Sequence, residues 1–305
     1  MERLLRNFFL FLSKNKTLTV LAKKYGFKFG ASRFVAGADI DHAAKKIKEI
    51  NDKGYVVTID HLGEFIDNEK EARENALDCI HAIEVIAEQK LDSQVSLKLT
   101  SMGLDVSEEL LMENMRSILD AGKKHNVTVT IDMEDHVNHR KTLDIFKELK
   151  KEYDDLGTVL QAYLFETVDD INELNEYNPY LRLVKGAYKE SPEVAYPLKK
   201  DVDENYKKII RMNLENGNYT AIATHDDAII DYVKQLEKEL SLSRDQFEFQ
   251  MLFGIRKDLQ EKLLKEDYKM RVYVPYGDDW FAYNMRRLAE RPANVMFVLK
   301  GVLKS

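Results

Sequence analysis

The chain has 305 residues, of which 44% are hydrophobic and 32% are charged, and its formal net charge is -7 at pH 7. This composition is typical of a soluble globular protein with a sizeable core. The acidic balance disfavours nucleic acid as a partner, because nucleic-acid binders carry a basic patch. A single cysteine, Cys79, rules out an internal disulfide and fits a reducing, cytoplasmic location.

Residues 1–50 are predicted to form an N-terminal helical segment. The opening "MERLLRNFFLFLSKNK" has an apolar patch between charges but no small-residue cleavage site, so a secretory signal is disfavoured. We expect this segment to pack on the rest of the protein, with weak peripheral membrane contact as the alternative. No apolar run approaches the length that spans a bilayer.

Short β-branched runs alternate with longer segments of helical periodicity over residues 55–294. The predicted strands are 55–60, 94–100, 127–133, 157–164, 181–186, 219–224, 247–253 and 270–275. Their largely apolar character is typical of parallel strands that helices cover. Eight strand–helix units in about 250 residues predict a (β/α)8 barrel of the α/β class. An open doubly wound sheet is disfavoured, because no Gly-rich dinucleotide or P-loop fingerprint follows a strand.

Polar or charged residues stand at the C-terminal end of every predicted strand. In chain order they are Asp60, Lys98, Asp132 with Glu134, Gln161, Arg182 with Lys185, Thr224 with His225, Gln250, and Tyr273. In a barrel these ends converge on one mouth, where active sites lie. One such residue alone is most simply a satisfied rim group. Eight together predict a polar pocket of mixed charge, because buried charges need partners.

A final amphipathic helix, Asp278–Glu290, is predicted to lie over this mouth. Tyr283, Arg286, Arg287 and Glu290 fall at i, i+3, i+4 and i+7, which places them on one face. Taken alone, two such arginines are most simply a solvated surface. Over a polar mouth, their paired guanidinium groups are better explained as a clamp for a carboxylate or phosphate.

The residues themselves leave several chemistries to weigh. A catalytic metal would need three well-placed ligands, which cannot be named, so no metal site is predicted. His136 and His139 are more simply loop or helix-start residues. Lys98 and Lys185 at strand ends would suit a Schiff-base aldolase or decarboxylase. A non-enzymatic module that binds an acidic ligand would explain the arginine pair but not the crowded mouth.

Seven segments together resemble the motifs of the proline dehydrogenase family. They are "SLKLTSMGLD", "TIDMED", "VLQAYL", "RLVKGAYKE", "ATHD", "FQMLFGIR" and "YVPYGDDWFAYNMRRLAERPAN". The resemblance extends from about Arg33 to Asn294, and "LVKGAY" and the closing segment are its most specific parts. It implies a single domain over 1–305: a distorted (β/α)8 TIM barrel with extra N-terminal helices, a final helix over the mouth, and noncovalently bound FAD.

The implied reaction is the oxidation of L-proline to Δ1-pyrroline-5-carboxylate by hydride transfer to FAD, with the electrons passed to a membrane quinone. The chain length implies the monofunctional form, whose product goes to a separate pyrroline-5-carboxylate dehydrogenase. The expected location is cytoplasmic, with peripheral contact on the inner face of the cell membrane. Tyr273 implies proline over hydroxyproline, since members that prefer hydroxyproline have a smaller residue there; such a member is the alternative.

The resemblance also implies roles for individual residues. Substrate binding is implied for Lys98, Leu252, Tyr273, Tyr283, Arg286 and Arg287. Cofactor binding is implied for Met133, Gln161, Arg182, Val184, Lys185, Gly186, Ala187, Thr224, His225 and Glu290. Asp132 is expected to organise the substrate site, and Arg182 to lie near the flavin N5; both are assigned to catalysis. Gly186 would let the backbone approach the flat ring or a phosphate.

Overall fold

The computed structural model describes residues 35–63 and 66–277, with Phe9, Phe11, Leu12, Trp280 and Met285 described singly. Within these ranges, parallel strands hydrogen-bonded in sequence order close into a barrel. The strands are β1 (Val56–His61), β2 (Ser93–Leu97), β3 (Val129–Ile131), β4 (Leu156–Gln161), β5 (Tyr180–Val184), β6 (Thr220–Ala223), β7 (Phe247–Leu252) and β8 (Met270–Tyr276). Strand β8 pairs in parallel with β1, which completes the ring. All eight predicted strands and the barrel are confirmed.

Strand β2 ends three residues before the predicted end. A 3-10 turn, Leu99–Met102, follows it, so Lys98 begins this turn and is not a strand residue. Thr100 donates from its backbone N–H and its hydroxyl to the Glu134 carboxylate, over 3.1 and 2.6 Å. These bonds draw the chain out of the sheet, and they place the Lys98 side chain at the barrel mouth.

Helices surround the barrel in the described ranges. They are α1 (Ile40–Asn51), α2 (Glu69–Glu88), α3 (Glu108–His125), α4 (His136–Lys150), α5 (Thr167–Leu174), α6 (Lys199–Glu215), α7 (Asp227–Glu239) and α8 (Lys257–Lys265). Helix α1 precedes β1, and the others follow β1 to β7 in turn. Several begin at a side chain that accepts from the first turn, as Ser107 does from the Leu110 N–H.

The main core lies between the barrel wall and these helices. Its largest fully buried side chains include Tyr206, Phe146 and Phe249, and Cys79 is buried in the same core, as predicted. The predicted N-terminal segment is described continuously only from residue 35. The predicted final helix, Asp278–Glu290, lies outside the described residues except for Trp280 and Met285.

Candidate active site

Charged and hydroxyl groups converge on Asp132, just beyond the end of β3. Its Oδ1 accepts from the Ser96 hydroxyl at 2.6 Å and from Arg182 Nη1 at 2.5 Å. Its Oδ2 accepts from the Tyr273 hydroxyl at 2.6 Å, and Lys98 Nζ lies 3.6 Å from the same oxygen. Strands β2, β5 and β8 and the turn after β2 supply these groups, so the strand ends meet as predicted.

Lys98 is held most closely by Asp60, at the end of β1. Its Nζ lies 3.0 Å from each carboxylate oxygen, and both side chains are buried. Burial raises the pKa of Asp60 above its usual value, outweighing the nearby ammonium. Burial acts the same way on Asp132, but Arg182 and Lys98 outweigh it and lower that pKa. Asp132 therefore stays ionised more readily than its neighbour.

We call Asp60, Ser96, Lys98, Asp132, Arg182 and Tyr273 the mouth cluster. Within it, the Arg182 guanidinium lies over the Tyr273 ring, with 5.2 Å from Cζ to the ring centroid. Its Nη1 donates to Asp132 and, at 3.2 Å, to Ser96. Its Nε and Nη2 are buried, and neither has a hydrogen-bond partner among the described residues. Because an unpaired buried donor is unfavourable, this geometry favours a ligand with acceptor atoms in the mouth.

The next strand end continues the polar lining. Gln161, the last residue of β4, donates from Nε2 to the Glu134 carbonyl oxygen at 2.7 Å, and both residues are buried. The other predicted cofactor residues differ in exposure: Met133 and Thr224 are buried, Val184 is half-buried and Ala187 is exposed.

The loop after β5 is held by the ion pairs of Lys185 and by the close approach of Gly186 to the Tyr163 ring. Lys185 Nζ lies 2.6 Å from a carboxylate oxygen of both Asp203 and Asp226. Gly186 has φ +107°, and a Cβ added there would stand 1.9 Å from an atom of the Tyr163 ring. The need for glycine is thus explained within the chain, by this backbone conformation and Tyr163. The close approach of a ligand, which the sequence predicts as the reason, is not needed to explain this glycine.

His225 links the ends of β6 and β7. Its Nε2 accepts the Leu252 backbone N–H at 3.0 Å, so the ring proton belongs on Nδ1. Burial and the nearby Arg256 lower the pKa of His225 to about 4, which keeps the ring neutral at pH 7. Arg256 also forks onto Asp227 and donates to the His225 carbonyl oxygen. The Leu252 side chain, 44% exposed, is open at this edge of the mouth.

Some assigned residues cannot be placed, and some cluster members had no assigned role. Tyr283, Arg286, Arg287 and Glu290 lie outside the described residues. Neither Ser96 nor Asp60 has a role predicted from the sequence, although Asp60 stands at the end of a predicted strand. The position of Ser96 does indicate that it belongs to the site. It stands two residues before Lys98 in the predicted strand, so both side chains are expected on the same face of the sheet.

A group of metal-ligand type lies between α4 and α5. His139 Nε2 is 2.8 Å from Asp170 Oδ2, and with Glu166 these side chains could surround an ion. The Arg140 guanidinium lies 3.9 Å from Asp170, and both helices begin here, so their positive ends face the group. This positive environment disfavours a cation. The pair is better explained as a buried hydrogen bond that joins the two helices.

Comparison with known proteins agrees with this geometry. The family model described as proline dehydrogenase matches residues 43–300. Proline dehydrogenase 2 of Bacillus subtilis (strain 168) is 55% identical over 299 residues, which cover 98% of this chain and 99% of that protein. The chain belongs to the proline dehydrogenase family. Proline dehydrogenase of Deinococcus radiodurans is 44% identical over 279 residues, or 90% of each chain.

Solved structures support the same fold for this proline dehydrogenase family member. Proline utilization A (PutA) from Bdellovibrio bacteriovorus, inactivated by N-propargylglycine, superposes with a TM-score of 0.84 at 25% identity. The match covers 94% of this chain and 36% of that one, so the chain spans about a third of that larger protein. The predicted family and fold are confirmed. The protein is therefore an oxidoreductase of this family, and the Schiff-base aldolase and the non-enzymatic module are set aside.

Proposed function

We propose that the protein oxidises L-proline to Δ1-pyrroline-5-carboxylate, with FAD as hydride acceptor and a quinone as the final electron acceptor. Similarity over nearly the full length of two curated proline dehydrogenases supports the substrate. The observation that carries the proposal is Arg182, whose buried Nε and Nη2 have no partner in the part of the chain that the structure describes. A bound acceptor group in the mouth would satisfy them.

The donor set of the mouth fits a flavin. Arg182 would hold the ring through its two open donors, and Gln161 and Met133 would line the ring from the neighbouring strand ends. Lys185 and His225 would contact the rest of the dinucleotide. When bound, FAD supplies the hydride acceptor, while the protein supplies position and electrostatics. The fixed charge of Arg182 would favour negative charge that develops on the ring.

The charge balance of the mouth bears on how a substrate carboxylate binds. Two carboxylates and two cations of the mouth cluster already balance each other. A bound carboxylate therefore requires cations in addition to Lys98. Arg286 and Arg287, which lie outside the described residues, are the pair that we assign to this role, because their guanidinium forks match a carboxylate.

Tyr273, Leu252 and Tyr283 would form the wall over the proline ring and exclude water from it. The hydrogen bond from the Tyr273 hydroxyl to Asp132 fixes this ring in the mouth. A tyrosine held in this way cannot easily swing aside for an additional hydroxyl on the substrate. We therefore propose that proline is preferred over hydroxyproline, which comparison of kcat/KM for the two substrates would test.

The route of the electrons is the part of the proposal furthest from the barrel. Among the described residues, no helix has the length and apolar character needed to cross a bilayer. We propose that the protein makes a weak peripheral contact on the inner face of the cell membrane, where a quinone accepts the electrons. The product then passes to a separate pyrroline-5-carboxylate dehydrogenase in the cytoplasm.

The visible absorption spectrum, taken before and after anaerobic addition of L-proline, tests the cofactor and the substrate together. We expect an oxidised flavin that bleaches with proline. A colourless protein that cannot be reconstituted with FAD would contradict the cofactor, and a flavin that stays oxidised would contradict the substrate.

The arginine pair has its own test. Arg286→Ala and Arg287→Ala should each raise the KM for proline roughly 10²-fold, because losing one partner of a charged pair costs about 2–5 kcal/mol. Flavin content should stay unchanged. Arg116→Ala, which removes an exposed guanidinium paired with Glu152, is the matched control. An unchanged KM in both variants would mean that the two arginines are solvated surface residues that do not bind the substrate.

A further inference from the structure

We infer that Asp60 is a positioning residue for substrate binding, which holds Lys98 in place as a charged ammonium so that it can bind the proline carboxylate. The inference rests on the proposed function, and it adds a residue with no assigned role in the reaction. Asp60 would favour binding only through Lys98, without contact with the substrate.

The geometry of the pair is specific. Lys98 Nζ lies 3.0 Å from both carboxylate oxygens of Asp60, and 3.6 Å from the nearer oxygen of Asp132. Two equal contacts from one ammonium are the arrangement expected for an ionised carboxylate. Lys98 is 6% exposed and Asp60 is 1% exposed, so water contributes little to keeping either group charged.

Removing the Asp60 charge would change the protonation of Lys98. Burial disfavours a charged amine, and a contacting carboxylate offsets that effect. Asp132 would remain near the ammonium, but its oxygens also accept from Ser96, Arg182 and Tyr273. The lysine would therefore lose its proton at a lower pH than in the wild type.

Asp60 also repels an incoming carboxylate, and the two effects oppose each other. Coulomb energy falls with distance, and the substrate carboxylate would contact Lys98 directly while Asp60 lies behind it. Loss of the contacting cation therefore outweighs loss of the more distant anion. The net expectation is weaker proline binding as pH rises.

Other titratable groups face the pair from several elements. They are Cys79 on α2, His61 on β1, Asp132 after β3, Arg182 on β5, and Tyr273 and Tyr276 on β8. Burial raises the pKa of Cys79 to about 12 and holds the pKa values of the two tyrosines well above their usual range. Measurements between about pH 7.5 and about pH 9.5 therefore lie below the pKa values of the Cys79 thiol and of the two tyrosines.

The decisive measurement is KM and kcat for proline in Asp60→Asn across this window, each divided by the wild-type value. The division cancels the ionisation of proline itself. We expect the KM ratio to rise up to about tenfold per pH unit above the lysine pKa, with flavin content unchanged. A KM ratio that stays constant, or a loss confined to kcat, would overturn the inference.

Two further variants separate positioning from folding. Glu248→Gln removes a buried carboxylate at the opposite end of the barrel, and it should leave the pH dependence of KM at its wild-type form. Lys98→Met combined with Asp60→Asn leaves no unpaired charge in the pair, so it remains measurable even if Asp60→Asn alone does not fold. Its KM should equal that of Lys98→Met or lie below it, because the repulsion by Asp60 is also removed, and a higher KM would show that Asp60 supports binding independently of Lys98.

The experiments distinguish a failure of this inference from a failure of the proposed function. A wild-type flavin that proline does not bleach contradicts the proposed function itself. Normal wild-type turnover together with a flat KM ratio in Asp60→Asn contradicts only the role of Asp60.

Discussion

Two polar networks lie inside the barrel, one at the mouth and one at the opposite end. The second, which we call the base network, comprises Gln94, Tyr180, Tyr219, Glu248, Gln250 and Arg271. The predicted position of Gln250 at the mouth is wrong: β7 continues to Leu252, and Gln250 Nε2 donates to Glu248 Oε1 at 2.7 Å and to the Tyr180 hydroxyl at 3.0 Å. The centre of the base network is Glu248, whose Oε1 accepts from Arg271 Nε at 2.5 Å and from the Tyr180 hydroxyl at 3.0 Å. Its Oε2 accepts from Arg271 Nη2 at 3.1 Å and from the Tyr219 hydroxyl at 2.9 Å.

The two networks differ in how their arginines are satisfied. Arg271 forks onto Glu248 and donates its remaining Nη1 to the Val57 carbonyl oxygen at 2.7 Å. Arg182 uses Nη1 only, and its Nε and Nη2 are without partners in the described ranges. A buried ion pair therefore does not by itself mark a functional site. Charged donors left open beside such a pair do, because a folded protein rarely leaves them unpaired without a ligand.

Glu248 of the base network and Asp60 of the mouth cluster have pKa values that are shifted in opposite directions. Burial would raise the pKa of Glu248, but the contacting Arg271 outweighs it and lowers the pKa to about 2. Burial prevails at Asp60, whose pKa is raised although Lys98 touches it. Glu248 in the base network therefore stays ionised to a lower pH than usual, whereas Asp60 at the mouth becomes protonated at a higher pH than usual.

The largest effect on stability is expected when the base network is opened. Glu248→Gln leaves Arg271 buried without its counterion, so the free energy of unfolding should fall by roughly 3–5 kcal/mol. Urea denaturation measures this change. The Tyr180 and Tyr219 hydroxyls would also lose a charged acceptor. Turnover per flavin-loaded molecule should stay at the wild-type value, and a selective loss of turnover would erase the distinction between the networks.

The same variant should also change how the free energy of unfolding depends on pH. A carboxyl whose folded pKa is depressed stabilises the fold above its unfolded pKa, and this stabilisation is lost as pH falls through the folded pKa. For Glu248 the loss should run from about pH 4.5 down to about pH 2. Glu248→Gln should lose less stability over this range. Glu113→Gln, from an exposed pair with Arg73, is the control, and its stability should follow that of the wild type over the same pH range.

The second prediction concerns the arginine with open donors. Arg182→Met should lower the rate of flavin reduction by proline about 10²–10³-fold, the usual effect of removing a donor to developing charge. The apoprotein should lose less stability than Glu248→Gln does, because two of the three Arg182 guanidinium nitrogens have no partner to lose in the part of the chain that the structure describes. Stopped-flow absorbance and urea denaturation measure the two effects. Full catalytic activity together with a large loss of stability would make Arg182 a second structural arginine.

The barrel and the residues at its mouth could be predicted from sequence for a simple physical reason. Strand runs and helical periodicity give the order of elements, and a closed parallel barrel brings every strand end to one face. Asp60, Lys98, Asp132, Arg182 and Tyr273 therefore had to lie near one another. The roles assigned to the site residues all stay predictions, and Tyr283, Arg286, Arg287 and Glu290 also lie outside the described residues.

The pairing within the mouth and the base network could not be predicted. Periodicity tells which face a side chain occupies, but not which of several partners it contacts. The sequence predicts that Lys98 binds the substrate or forms a Schiff base, but not that it pairs with Asp60. Glu248 and Arg271 stand within apolar strands, and their bond depends on β7 and β8 being neighbours. The same limit applies to Gly186, because the ring of Tyr163 reaches it across the chain only in the folded state.

The smallest effect is expected at His225, where the mouth edge depends on a neutral ring. The Leu252 N–H can donate to Nε2 only while that nitrogen is unprotonated. Because the folded pKa is depressed to about 4, stability is fully present above about pH 6.5 and falls as pH drops toward 4. The ring is half-buried, so solvent screening reduces this contribution to roughly 1–2 kcal/mol.

His225→Gln keeps an acceptor oxygen at this place without a titrating ring. Between about pH 6.5 and about pH 4.5, the free energy of unfolding should therefore decrease less in this variant than in the wild type. Hydrogen exchange of the Leu252 amide should accelerate over that interval in the wild type but not in the variant. His42→Gln, at an exposed histidine beside Asp39, is the control and should leave Leu252 exchange unchanged. Equal acceleration in His225→Gln would mean that acid loosens this edge through another group, and the contrast with the base network would then lie in Arg182 and Asp60 alone.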